Sequence, residues 1–129
     1  MEAGSDKVKE LITNTENEIW VLELALIELQ CAIYRKIRNK ELPEDNINSI
    51  QKAIEQQFSF FQIIRLGSDI IEEAKILIKQ FGKQYGLRTL DALHVAGWNL
   101  MAEDDWQFVS SDKNQLTLVN KMTYQTISV

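Results

Sequence analysis

The spacing of apolar residues changes repeatedly along the chain, and each change marks an element. Val8, Leu11 and Ile12 share one side of a helical wheel, so a short helix is predicted over residues 6–13, with Ser5 as a candidate cap. Residues 18–22 (EIWVL) are a brief apolar run, read as a strand. A long helix follows over residues 24–39, apolar through its first half and ending in the basic turn RKIRNK, which suits the negative end of the helix dipole. Pro43, the only proline, fits the first turn of a further helix reaching residue 57. Residues 60–66 (FFQIIRL) read as a second strand, closed by Gly67. Ser68 then caps a helix to residue 84, whose period is carried by Ile70, Ile71, Ala74, Leu77, Ile78 and Phe81. Gly86 ends it. The stretch LRTLDALHVA starts another helix that reaches residue 102. Residues 106–109 (WQFV) form a strand, 112–121 a short helix, and 124–129 (YQTISV) a last strand.

Short apolar strands alternating with helices predict an α/β fold with a largely parallel sheet. Neither internal repeats nor low-complexity tracts interrupt the chain. Its 129 residues are enough for one domain with one core.

Composition removes several chemistries. Apolar residues are 45% and charged residues 26%, as in a soluble globular protein, and no apolar run approaches a membrane span. No signal peptide opens the sequence, and Cys31 is the single cysteine, so a reducing, cytoplasmic setting is expected. The net charge of −5 argues against a surface coated in Lys and Arg for tight nonspecific nucleic-acid binding. It leaves room for a nuclease, because a metal cluster needs surplus carboxylates. GxGxxG, Walker, CxxC and HExxH motifs are absent. His94 is the only histidine, which excludes a zinc site built on several histidines. It lies four residues before Trp98 on an apolar helical face and reads as a structural histidine. Carboxylate chemistry is what remains.

Three acids stand in unusual settings. Glu28 sits in VLELALIELQCAI, where its helical neighbours Leu24, Ala25, Cys31 and Ala32 offer no ionic partner. It reaches water from the edge of an apolar face, finds a partner elsewhere, or stays partly buried at an energetic cost. Asp91 follows Thr89, a candidate N-cap, so it also reads as an acid favoured by the helix dipole. Asp112 follows WQFVSS with Gln115 three residues on, the spacing of a capping box. Taken singly, the last two have ordinary helix-start explanations. Taken together with a parallel sheet, Asp112 falls just past the carboxyl end of a strand, where ligands of such folds sit. Asp91 and Glu28 lie near helix starts. Acids gathered there would need a cation, and oxygen ligands favour Mg²⁺ or Mn²⁺.

The stretches LRTLDALHVAGWNL and FVSSDKNQL resemble the C-terminal half of PIN domains, especially the VapC-type toxins of toxin–antitoxin pairs. That family has an Asp opening a helix in the pattern L-R/K-x-x-D-A-x-x-x-A and another following a strand in T/S-x-D. LALIELQCAIYRKI is similar to the earlier helix, with Glu28 at the family's acidic position, and GSDKVKELI is similar to the first helix. The resemblance implies a three-layer fold, a parallel sheet flanked by helices, and Mg²⁺- or Mn²⁺-dependent cleavage of RNA. It implies that Asp91, Asp112 and Glu28 are catalytic and metal-facing, and that Ser110 hydrogen-bonds the cluster and fixes it. Arg35, Lys36 and Arg38 would lie along the RNA backbone or else form a solvated helix end. An antitoxin-like protein is an implied partner.

Two departures qualify the match. The family opens with a central strand ending in L-D-T/S-S, whereas this chain begins MEAGSDK, already at the approach to the first helix. The expectation is therefore a single PIN-like domain over residues 1–129, lacking that strand and its Asp. Such a chain binds metal weakly and is a weak or inactive endoribonuclease. The alternative is a non-catalytic remnant that dimerises or holds an antitoxin. Exposed strand edges favour a homodimer, with exchange of segments between two chains as one way to repair the sheet. The second departure is Glu23, where the family often has Ser or Thr.

Overall fold

The computed structural model describes residues 3–122 and 125–129. In chain order the elements are α1 (Ala3–Thr13), β1 (Trp20–Leu22), α2 (Leu24–Arg38), α3 (Ile47–Phe58), β2 (Gln62–Ile64), α4 (Ser68–Tyr85), α5 (Thr89–Met101), β3 (Gln107–Ser110), α6 (Lys113–Lys121) and β4 (Gln125–Ser128). Helices alternate with short strands, and every strand pairing is parallel, so the α/β class expected from the apolar pattern is the one adopted. The described strands form two separate two-stranded sheets, β1 with β2 and β3 with β4. The chain divides into two compact units, one of residues 18–66 and one combining residues 1–17 with 67–129. None of the helices among the described residues is long and apolar enough to cross a membrane.

In the 18–66 unit, Trp20, Val21 and Leu22 stand opposite Gln62, Ile63 and Ile64. The ladder is extended at each end by Gln62 N donating to the Ile19 carbonyl (2.8 Å) and Glu23 N donating to that of Ile64 (2.9 Å). Leu22 and Ile33 are its buried apolar residues. The side-chain amides of Gln30 on α2 and Gln51 on α3 donate to each other's carbonyl oxygens at 2.7 and 2.6 Å, which fastens the two helices. Pro43 does not open an α-helix. It is extended, with ψ of 135°, and precedes a single 3₁₀ turn, Glu44–Asn46, so that α3 starts only at Ile47.

Glu23, noticed in the sequence only as a departure, has a definite task in this unit. Its Oε1 accepts the backbone N–H of Leu66 at 2.6 Å, and its Oε2 lies 3.8 Å from the guanidinium of Arg65. The carboxylate thus holds the segment that leaves β2. Arg65 is almost fully exposed, so its ion pair adds little. The backbone bond is the stronger contribution. Glu23→Ala is expected to lower stability by about 1.5 kcal/mol, the scale of a hydrogen bond to a charged group. Glu23→Gln, which keeps an acceptor, should recover most of it in urea denaturation. Equal losses for the two variants would show that the bond to Leu66 is not what matters.

The other unit is built on α4 and α5, which pack together and both meet α6. Ile70, Ala74 and Leu77 of α4, Ala92, Val95 and Ala96 of α5, and Leu118 and Val119 of α6 are buried. α4 starts one residue earlier than a Ser68 cap would allow. Gly67 takes the extended cap conformation, and Ser68 is the first helical residue. Gly86 ends α4 in the left-handed region, φ 61° and ψ 36°, with its N–H donating to the Gly82 carbonyl. An L side chain there would be strained by about 1 kcal/mol. β3 and β4 run in register from Gln107 opposite Gln125 to Ser110 opposite Ser128. The expected start of this last strand at Tyr124 lies outside the described residues. α1, read as starting at residue 6, extends back to Ala3 and so contains Ser5 rather than being capped by it. Lys7 on this helix donates through Nζ to the Ser128 carbonyl at 3.1 Å.

Candidate functional site

α5 is nearly the most apolar element of the chain, yet its third residue is a buried aspartate. Thr89 is not its cap. Arg88 takes the extended cap conformation, which makes Asp91 the N3 residue. From N3 a carboxylate can reach back to the cap's backbone, and Asp91 Oδ2 accepts Arg88 N–H at 3.3 Å. Asp91 is only 9% exposed, the one buried charged residue among those described. Its other oxygen, Oδ1, accepts from Gln115 Nε2 at 3.1 Å.

That contact joins α5 to the start of α6. β3 ends at Ser110, and the turn that follows places Asp112 at the cap of α6, with its Oδ1 accepting Gln115 N–H at 2.9 Å. The capping relation expected between Asp112 and Gln115 is therefore present in its forward half. The return half is taken by another residue. The N–H of Asp112 donates to Ser110 Oγ at 3.0 Å, and the Gln115 side chain is released for other work. Its Oε1 lies 3.0 Å from Ser110 Oγ.

The direction of every bond in this network follows from donor and acceptor inventory. Asp91 can only accept when ionised, so the end of Gln115 facing it must be the NH₂. Oε1 then faces Ser110, whose single hydroxyl proton is donated to it while a lone pair accepts Asp112 N–H. Ser110 thereby bonds the backbone of Asp112 and the side chain of Gln115, and its connection to Asp91 passes through Gln115. Around this network, Trp98 of α5 meets Phe108 of β3 edge-on at 5.4 Å and Trp106 at 6.3 Å, which seats the helix on the strand. Asn99 Nδ2 donates to Glu73 Oε1 at 2.7 Å and ties α5 to α4.

The remaining candidates lie in the 18–66 unit. Glu28 is half-buried on α2. Arg35, Lys36 and Arg38 are exposed in the last turn of the same helix. Lys36 pairs with Glu41 at 3.4 Å, while both of its basic neighbours project into solvent as a helix end would. His94, on α5, is half-buried.

Gln115 is the residue that sequence reasoning undervalued. Its spacing from Asp112 is visible as a capping signal, but nothing in the sequence announces a side chain spanning to an aspartate 24 residues earlier. Asp91 and Asp112 offer hard oxygen donors of the kind a hydrated Mg²⁺-type ion accepts from one or two carboxylates. The donor chemistry fits such an ion. Among the described residues, no group of three or more His, Cys, Asp or Glu side chains stands together as a metal cage.

In parallel α/β folds ligands sit past the carboxyl ends of strands, and Asp112, joined to Asp91 through Gln115, stands just past the end of β3. The family is explicit: the PIN domain model matches residues 1–119, and the chain belongs to the PIN domain family. This is a family of nucleases that generally depend on divalent metal. No curated protein and no solved structure matches the chain.

Proposed function

We propose that this protein is a PIN-type, divalent-metal-dependent endoribonuclease that hydrolyses RNA phosphodiesters. The observation that carries the reading is the joined pair of Asp91 and Asp112 beyond the carboxyl end of β3, in a chain of this family. Asp91 and Asp112 hold the cation, with Glu28 acting directly or through water, and Ser110 helps fix the pair. A bound Mg²⁺ or Mn²⁺ would polarise the phosphodiester and lower the pKa of an attacking water. The exposed turn of Arg35, Lys36 and Arg38 meets backbone phosphates by charge, a contact that weakens as salt rises. Binding of the cation is weak, because two carboxylates and waters make a sparse ligand set.

The test is cleavage of a mixed-sequence RNA by the whole chain with Mg²⁺, with Mn²⁺ and with a chelator. Metal-dependent cleavage that Asp112→Asn reduces about 100-fold is the expected result, since loss of a group stabilising transition-state charge is worth several kcal/mol. Cleavage indifferent to both chelator and Asp112 would sink the assignment.

A second reading has its own observation. Ile27, Cys31 and Tyr34 follow one another at four and three residues along α2, and all three are exposed, Ile27 by 62% and Tyr34 by 49%. Such a stripe suits a partner helix, and supports a non-catalytic domain that dimerises or holds an antitoxin-like protein in the cytoplasm. Absence of cleavage under every condition above, together with a dimer in sedimentation that Ile27→Glu dissociates, favours this reading.

A further inference from the structure

We propose that Gln115 is the positioning residue of the carboxylate pair. It holds Asp91 and Asp112 in one arrangement before any cation arrives, through its backbone N–H and its side-chain amide together. The inference rests on the metal-binding reading of Asp91 and Asp112.

Three features single Gln115 out. It is bonded to both acids, by its backbone N–H to Asp112 Oδ1 and by its side-chain amide to Asp91 Oδ1. The far end of its amide, oriented by Asp91, is bonded by Ser110 Oγ, which also accepts the Asp112 N–H. It is also carried on α6, which is anchored one turn later by the fully buried Leu118 and Val119. The observed span uses one donor towards Asp91 and one acceptor towards Ser110, and glutamine supplies both on a side chain of this length. Glutamate has the length but turns a second carboxylate on Asp91. Asparagine is one carbon short.

A neutral amide suits the task in a further way. Each carboxylate oxygen has two acceptor sites, so the Gln115 N–H occupies one site of Asp91 Oδ1 and leaves another for a cation. Asp91 is thus held in one rotamer without being neutralised. Outer-shell partners of this kind orient a ligand, and their loss commonly weakens metal affinity by about 10–100-fold. Gln115→Ala removes only the side-chain bonds and keeps the backbone N–H that Asp112 caps, so α6 retains its start.

The experiment measures Mn²⁺ affinity by electron paramagnetic resonance for the wild-type chain, Gln115→Ala, Gln115→Glu and Asp91→Asn, with folding checked by circular dichroism. It also records the Gln115 side-chain amide protons by nuclear magnetic resonance without metal. Gln115→Ala is expected to bind Mn²⁺ about 10–100-fold more weakly. Gln115→Glu is expected to melt at lower temperature without metal, because it opposes Asp91, and to bind Mn²⁺ more tightly than Gln115→Ala. A residue that merely supports the fold would lower melting in both variants and leave affinity unchanged. If Gln115→Ala binds as the wild type does while Asp91→Asn does not, the positioning role is overturned and the metal reading survives. If Asp91→Asn binds as the wild type does, the metal reading fails instead. The amide protons then decide the positioning claim separately: shifts that are the same in the wild type and in Asp91→Asn overturn it.

Discussion

The substitution Asp91→Asn is expected to lower metal-dependent RNA cleavage by about 100-fold while costing the fold no more than about 1 kcal/mol. The two effects separate because the network around Asp91 can be rewired. The new amide would keep its oxygen towards Arg88 N–H and turn its NH₂ towards Gln115. Gln115 then answers by rotating its own amide through half a turn, so that its carbonyl accepts from position 91 and its NH₂ faces Ser110 Oγ. The hydroxyl has a second lone pair for that bond, beside the one taken by Asp112 N–H. Only the Ser110 hydroxyl proton loses its acceptor, and Ser110 is half-buried rather than buried, so water can replace it. What disappears is a negative charge at the first turn of α5, worth a few tenths of a kcal/mol to the helix but central to holding a cation. Cleavage and melting temperature measured on one preparation check both halves. Full cleavage by Asp91→Asn would remove Asp91 from the site.

Leu118→Ala is expected to have the largest effect on stability, about 3 kcal/mol, because the leucine is completely buried and its removal leaves a cavity as well as losing transfer energy. A domain is stable by only about 5–15 kcal/mol, so this is a large fraction. The loss is not confined to packing. α6 has nine residues, too few to be helical without its buried face, and it carries the Asp112 cap and Gln115 on its first turn. Weakening its anchor therefore loosens the carboxylate pair from below. Urea denaturation measures the first effect, and the Mn²⁺ affinity of the still-folded variant the second. A stability change under about 1 kcal/mol would mean that the helix is held by something other than its apolar face.

Much of this was legible in the amino-acid pattern. Among the described residues every strand and α-helix lies within a few residues of its expected place, because the apolar period is clean and, around α4, Gly67 and Gly86 mark the ends. The errors were at caps. Ser68 and Thr89 are good cap residues by type, yet Gly67 and Arg88 occupy the cap positions, since a cap is set by where the backbone turns extended rather than by side-chain preference alone. Asp112 was correctly placed because its preference and the strand end coincide. Asp91 and Asp112 stand out as candidates through their motif. Their connection through Gln115 was not, because a tertiary hydrogen bond leaves no periodic trace. Glu23 was missed for the same reason: its partner, Leu66 N–H, is 43 residues away.

The division of the chain also sets an order of events. Residues 18–66 are contiguous, and they interrupt a unit whose own parts come before and after them. During synthesis the interrupting unit can close its β1–β2 ladder as soon as residue 66 has emerged. The bond from Lys7 to the Ser128 carbonyl spans 121 residues, so it forms only once residue 128 has been made. The unit that carries Asp91 and Asp112 is thus completed after the unit that carries Glu28.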